Sequence, residues 1–248
     1  MNHFITEIGS YPFDKLRKLL STISPDKKNN SFINLSIGEP QKNSNPEVLK
    51  ILNKNKKLFS QYPPMDSIFE LTSAYKDYLN QRFDIKGLSD ENILNLGGTR
   101  EGTFSVIQSL FNRKIKSKKP YILMPNPFYQ IYGGASLLAG GISKHINLND
   151  TNNFSLDLDS VKESTWKKCQ ILVLCSPSNP TGSVMNENEI LKVIKLSRKY
   201  GFYIVSDECY VDIYREDPPK SLIEVSFKKY GNFKNILSLH SLSKRSNL

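Results

Sequence analysis

The sequence predicts an α/β fold with a mostly parallel sheet, and three observations carry the prediction. Short apolar runs such as Ile171-Leu172-Val173-Leu174-Cys175 alternate along the chain with segments of helical periodicity. That run has no polar interruption, as a strand covered on both faces requires. The residues least suited to a core stand just after the runs, the end of such a sheet where ligands collect.

Taken in order, residues 1–30 read as an extended arm with a short helix near 13–20. A strand over 32–37 ends in the turn signal Gly38-Glu39-Pro40, and a helix covers 46–57. Tyr62-Pro63-Pro64 breaks the chain. Ile68, Leu71, Tyr75 and Leu79 then share one helical face, which gives a helix over 66–83.

From residue 92 a strand–helix alternation sets in. Strands are expected over 92–96, 121–124, 144–148, 171–175, 202–206 and 236–239, and helices over 99–111, 129–139 and 187–200. The last of these helices has the clearest ends. Asn186 and Glu189 fit a capping box, Ile190, Val193 and Ile194 form a buried stripe, and Gly201 stands at the stop.

Composition narrows the class. With 248 residues, 38% hydrophobic and 10% aromatic, the chain can bury a large core as one domain or two. No apolar run approaches the roughly 20 residues that span a bilayer, and the N-terminus lacks the apolar region of a signal peptide. Three cysteines without metal-ligand spacing favour a reducing compartment, with Cys175 a core thiol and the cytoplasm the expected location. The net charge of +10 is scattered over Lys/Asn-rich stretches rather than gathered into a patch, so neither nucleic acid nor membrane is an expected partner.

Five polar clusters follow expected strands: Gly97-Gly98-Thr99-Arg100, Pro125 to Tyr129, Ser176 to Gly182, Asp207-Glu208-Cys209-Tyr210, and His240 to Lys244. Each has an ordinary explanation. Gly-Gly-Thr-Arg is a helix start whether or not a phosphate sits there, Asn179-Pro180-Thr181-Gly182 is a competent turn, Asp207 and Glu208 could be solvated, and Lys244 could be a basic tail. A shared edge makes that combination an improbable accident. Together the clusters suit a flat, phosphorylated aldehyde: Tyr129 to stack on its ring, Asp207 to pair with a protonated ring nitrogen, Asn179 and Tyr210 to bond a ring oxygen. Gly98, Thr99, Arg100, Ser241 and Ser243 can hold a phosphate, and Lys244 can bind the aldehyde as a Schiff base. These are the needs of pyridoxal 5′-phosphate.

Ser176-Pro177-Ser178-Asn179-Pro180-Thr181-Gly182, Ser206-Asp207-Glu208-Cys209-Tyr210 and Ser241-Leu242-Ser243-Lys244 stand in the order of the motifs of the class I/II aminotransferases. Over essentially its whole length the chain resembles that family of fold-type I pyridoxal-phosphate enzymes. Tyr11 to Leu16, Asn34 to Pro40, Asn126 to Tyr132 and Ser243 to Asn247 look more narrowly like the succinyldiaminopimelate transaminases. The resemblance implies a three-layer α/β/α large domain over 46–248, with 1–45 an arm and partial small domain. It implies amino transfer between glutamate and an oxo acid, N-succinyl-2-amino-6-oxopimelate on the diaminopimelate route to lysine.

By the same resemblance Lys244 is the Schiff-base lysine and proton-transfer base, and Asp207 the partner of the pyridine nitrogen. Asn179 and Tyr210 contact the ring oxygen, and Tyr129 the ring face. Gly98, Thr99, Arg100, Ser241 and Ser243 surround the phosphate. Tyr62 matches the tyrosine that reaches the phosphate of a second subunit, implying a homodimer, and Gly38 the backbone that meets a substrate carboxylate. Two departures stand out: Ser67 replaces a frequent glycine, and the family continues beyond the position of Leu248. The continuation carries a second phosphate-binding arginine, a further sheet strand beside the one leading to Lys244, and a small domain with the carboxylate-binding arginine. The expectation is therefore little transamination by these 248 residues alone, the alternatives being a non-catalytic fragment or an aminotransferase of different substrate. Ser241-Leu242-Ser243-Lys244 is also an S-x-x-K, but the later elements of the penicillin-binding and β-lactamase families do not follow it.

Overall fold

Seven consecutive buried residues, Cys169–Cys175 (β3), form the centre of the sheet. Around β3 lie Tyr121–Asn126 (β1), Ile142–Asn147 (β2), Tyr203–Asp207 (β4) and Ile236–Leu239 (β5), in the order β2-β1-β3-β4-β5, every pair parallel. The computed structural model describes residues 3–9, 11–24, 38–40, 43–62, 68–114 and 119–248. The expected strand over 32–37, Ser67 and the first two residues of the expected helix 66–83 lie outside them.

Strand alternation sorts β3 between two layers. Leu172 and Leu174 pack with Ile190, Val193 and Ile194 of Glu187–Tyr200 (α7), Leu222 and Val225 of Leu222–Tyr230 (α8), and Trp166 of Glu163–Lys168 (α6). Ile171 and Val173 face the other way, against Ile107 of Thr99–Leu110 (α4) and Tyr132, Ala135 and Ala139 of Ile131–Ala139 (α5). The result is the expected α/β/α sandwich, and burial on both faces explains why β3 reads as an unbroken apolar run.

Among the described residues, three more α-helices precede this unit: Pro12–Leu20 (α1), Pro46–Lys54 (α2) and Ile68–Phe83 (α3). The first two bury no residue, whereas Leu79 and Phe83 of α3 join Ile85 and Val211 in a separate apolar cluster. α7 has the capping box read from the sequence: Glu189 N–H donates to Asn186 Oδ1 at 3.0 Å and Asn186 N–H to Glu189 Oε2 at 2.7 Å. Gly201 closes it with φ 70°, the left-handed region where a Cβ is costly.

The structure corrects several expectations. Residues 93–96 are not a strand: no ladder joins them to β5, the last strand in the sheet order, and Leu94 is 77% exposed. An extended segment becomes a strand only with a neighbour at ladder distance, and here a cleft intervenes. The helix expected over 46–57 stops at Lys54, because Asn55 leaves helical geometry before a 3-10 turn at Lys56–Ser60. The helix expected from 129 begins at Ile131. α6, α8 and Leu242–Ser246 (α9) were not expected, although the box that starts α8, Ser221 with Glu224, is of the same type as that of α7.

Candidate active site

Four parallel strands end on the same side, and each leaves its polar cluster there. The clusters meet in a cleft of about 2190 Å³ between the ends of β4 and β5, the start of α4 and residues 93–98. Gly38, Gly98, Thr99, Arg100, Tyr129, Asn179, Asp207, Tyr210, Ser241, Ser243 and Lys244 all line it. Tyr62 does not; it stands 98% exposed.

Asp207 is the last residue of β4 and only 8% exposed, which excludes the solvated reading, and its neighbour Glu208 is at 1%. Tyr132 O–H donates to Asp207 Oδ2 at 2.7 Å and the Cys209 N–H to Oδ1 at 3.2 Å, so the carboxylate is fixed by a phenol and a main-chain amide. Burial, then the nearby Asp207 charge, pushes the Tyr132 phenol far above its ordinary range, so it remains a donor. Burial and the same carboxylate push the Cys175 thiol up to about 12 and raise that of Cys209 as well. Both cysteines stay neutral, and Cys175 is the core thiol its sequence position suggested.

α4 opens on Gly98 with no side-chain cap, and Gly98, Thr99, Arg100 and Glu101 of its first turn line the cleft. Arg100 Nε donates to the Tyr129 hydroxyl at 2.8 Å, tying the arginine to the residue expected to stack on the ring. The Tyr129 ring in turn meets the Tyr132 ring edge-on, centroids 5.8 Å apart. Across the cleft, Ser241 caps α9: its Oγ accepts from Ser243 N–H at 3.2 Å and lies 2.8 Å from Ser243 Oγ.

Lys244 follows one turn into α9. Its Nζ donates to the Gly38 carbonyl, joining two residues 206 positions apart in the chain, and lies 5.9 Å from the Tyr210 ring centroid. Burial pushes the Tyr210 phenol up to about 12, with Cys175 and Asp207 adding to the rise.

The model for "Aminotransferase class I and II" matches residues 30–248. The chain belongs to the class I and II aminotransferases. Members of that family work with pyridoxal 5′-phosphate, and the cleft fits it. The fit rests on a buried carboxylate, an uncapped 12-residue helix and a cluster of hydroxyls, all lining the cleft that Lys244 lines. An aminotransferase structure from Neisseria meningitidis is 35% identical with a TM-score of 0.90, covering 100% of this chain and 63% of its own. A Thermus thermophilus structure named "probable N-succinyldiaminopimelate aminotransferase" is 25% identical with a TM-score of 0.79, covering 95% and 60%. An LL-diaminopimelate aminotransferase from Natranaerobius thermophilus is 28% identical over 249 residues, 99% of this chain and 62% of that protein. The chain thus spans about three-fifths of the length of these three aminotransferases.

Two parts of the arrangement were not legible beforehand. One is Tyr132, whose neighbours give it no role beyond the Asn126 to Tyr132 stretch, three residues after Tyr129. The other is Asp212. It accepts from Arg82 Nε at 3.1 Å and Tyr78 O–H at 2.9 Å and pairs with Arg245 Nη1 at 3.2 Å. This hub fastens α9, and with it Lys244, to α3; nothing in the local sequence of Asp212 announces it.

Proposed function

We propose that this chain is the cofactor-binding part of a pyridoxal-phosphate-dependent aminotransferase moving an amino group between glutamate and an oxo acid. The observation that carries the reading is the placement of Asp207 and Lys244. Asp207 ends β4 and Lys244 stands five residues past the end of the adjacent parallel strand β5, and both line one cleft. When bound, the cofactor accepts into its protonated ring the electron pair left on a substrate α-carbon.

The residues then divide the work. Lys244 Nζ would hold the cofactor, and the same amine would move the proton at the substrate α-carbon. Asp207 keeps the ring nitrogen protonated, and its own position is held by Tyr132. Tyr210 and Asn179 bond the ring oxygen, and Tyr129 covers the ring face. Gly98, Thr99 and Arg100 with Ser241 and Ser243 receive the phosphate. Gly38 serves the substrate carboxylate through its backbone, and the contact between its carbonyl and Lys244 supports that placement. The exposure of Tyr62 suits a residue that completes a second subunit's site in a homodimer. For the acceptor, N-succinyl-2-amino-6-oxopimelate is the reading the motifs favour. Relatives named for LL-diaminopimelate and for N-succinyldiaminopimelate support a diaminopimelate-type substrate.

The test is covalent. Pyridoxal phosphate added to the purified chain and reduced with borohydride should leave a single stable adduct on the peptide containing Lys244, and Lys244→Ala should abolish it. An adduct on another lysine, or one unchanged in the variant, would sink the assignment.

A further inference from the structure

Beside Asp207 and Lys244 lies a buried polar pair to which the reading above gives no task. Ser206 and Ser238 are direct partners in the β4–β5 register, so strand alternation puts Ser206, Glu208, Ser238 and His240 on one face of the two strand ends. Asp207 points to the opposite face, toward Tyr132. The Glu208 N–H donates to the Leu239 carbonyl at 2.9 Å, continuing main-chain pairing one residue past β4.

The Glu208 carboxylate collects donors from three elements. Ser206 Oγ on β4 and Ser238 Oγ on β5 each donate at 2.9 Å, and the Leu222 N–H at the start of α8 donates at 3.0 Å. His240 Nε2 donates to the second oxygen at 3.0 Å. Burial alone would raise the Glu208 carboxyl, but His240, Ser221 and Leu222 hold it below the usual carboxylate range.

His240 is set in an aromatic box. Tyr75, Tyr78 and Phe83 of α3 place their ring centroids 5.8, 6.0 and 5.7 Å from the imidazole. Its Nδ1 is buried with no hydrogen-bond partner among the described residues. A phenylalanine would suit that box without leaving a polar atom unsatisfied, so packing alone does not explain the imidazole. What phenylalanine lacks is the Nε2–H that reaches Glu208.

We propose that His240 and Glu208 are positioning residues for the cofactor reaction: their hydrogen bond fixes the end of β5 to the end of β4. It thereby sets the Lys244 amine relative to the Asp207 carboxylate. The placement supports this. Glu208 directly follows Asp207; His240 directly precedes Ser241, the cap of α9, and stands four residues before Lys244. The inference rests on the assignment of Lys244 and Asp207 made above.

The experiment compares two quantities in the full chain and its variants. One is the rate of capture of pyridoxal phosphate at Lys244, in which the amine adds to the aldehyde carbon, one water leaves and borohydride reduces the product. The other is the affinity for pyridoxamine 5′-phosphate, which has no aldehyde and reads only the noncovalent contacts. His240→Phe should slow capture at least about tenfold, roughly 1.4 kcal/mol in the barrier. It should weaken pyridoxamine phosphate affinity by a clearly smaller factor than it slows capture. His240→Gln, whose amide can donate to Glu208, should recover most of the rate. Should His240→Phe fail to melt cooperatively, His240→Leu, which also lacks the donor and is smaller, carries the same expectation of slowed capture with affinity affected less. Capture at the wild-type rate in these variants, a parallel loss of capture and affinity, or no recovery by glutamine would overturn the proposal. Absence of any Lys244 adduct in the unaltered chain would overturn the cofactor assignment itself, and this inference with it.

Discussion

The hydroxyl of Tyr132 donates to Oδ2 of Asp207 at 2.7 Å, a bond between the first turn of α5 and the end of β4 that crosses 75 residues of chain. Tyr132 is fully buried and Asp207 nearly so, and the Cys209 N–H also donates to the carboxylate, at 3.2 Å. Tyr132→Phe keeps the ring and removes the donor. The expected result is a stability loss of about 1–3 kcal/mol, the cost of leaving a buried charged acceptor short of a partner. Thermal or urea unfolding measures it, and an unchanged midpoint would show that Asp207 does not depend on this bond.

Asp212 accepts from α3 through Arg82 and Tyr78 and from α9 through Arg245, and both it and Arg82 keep less than a fifth of their side-chain surface exposed. Asp212→Ala should cost on the order of 2–4 kcal/mol, because two guanidinium groups lose their shared carboxylate while remaining partly desolvated. Double-mutant cycles with Arg82→Ala and Arg245→Ala should then show coupling to both partners. Strict additivity would mean the three charges act independently.

The Tyr210 phenol, raised by burial to about 12, gives a sign-defined pH dependence. Its folded-state value lies above the ordinary value of 10.0, so its contribution to stability is fully present below 10.0 and is lost as pH rises toward 12. Tyr210→Phe should flatten the alkaline limb of the stability curve over that interval. A limb identical to that of the parent chain would contradict the shift.

For Glu208 the sign is opposite. Its folded pKa is depressed despite full burial, so its contribution is present above the ordinary carboxylate value of 4.5 and is lost as pH falls through the lower folded value. The groups facing it are Ser238 from β5 and His240 just past it, Ser206 from β4, Ser221 and Leu222 at the start of α8, and Tyr75 from α3. Glu208→Gln should therefore weaken the acid dependence of the melting temperature below about pH 4.5. An unaltered acid limb would refute the assignment.

Asn186→Ala removes half of the α7 capping box while touching none of the cleft. A loss of about 1 kcal/mol is expected, with cofactor capture unchanged. Hydrogen exchange in the first turn of α7 should rise accordingly.

Much of the fold was legible because it depends on local rules. The unbroken run of β3 announces burial on two faces, and α7 declares both ends through Asn186, Glu189 and Gly201. Reading failed where a rule needs a partner. Residues 93–96 have the composition of a strand but no ladder, and α8 escaped notice although its box matches that of α7.

The sequence by itself determined the class of fold, the family motifs and which side chains gather beyond the strand ends, since alternation and parallel order are written into periodicity. Only the tertiary structure decided how those side chains are held. Tyr132 on Asp207, His240 on Glu208 and Asp212 between α3 and α9 join residues 75, 32 and up to 134 positions apart. Hydrogen bonds of that span leave no periodic trace in the chain, because their geometry is fixed by packing rather than by neighbours in sequence.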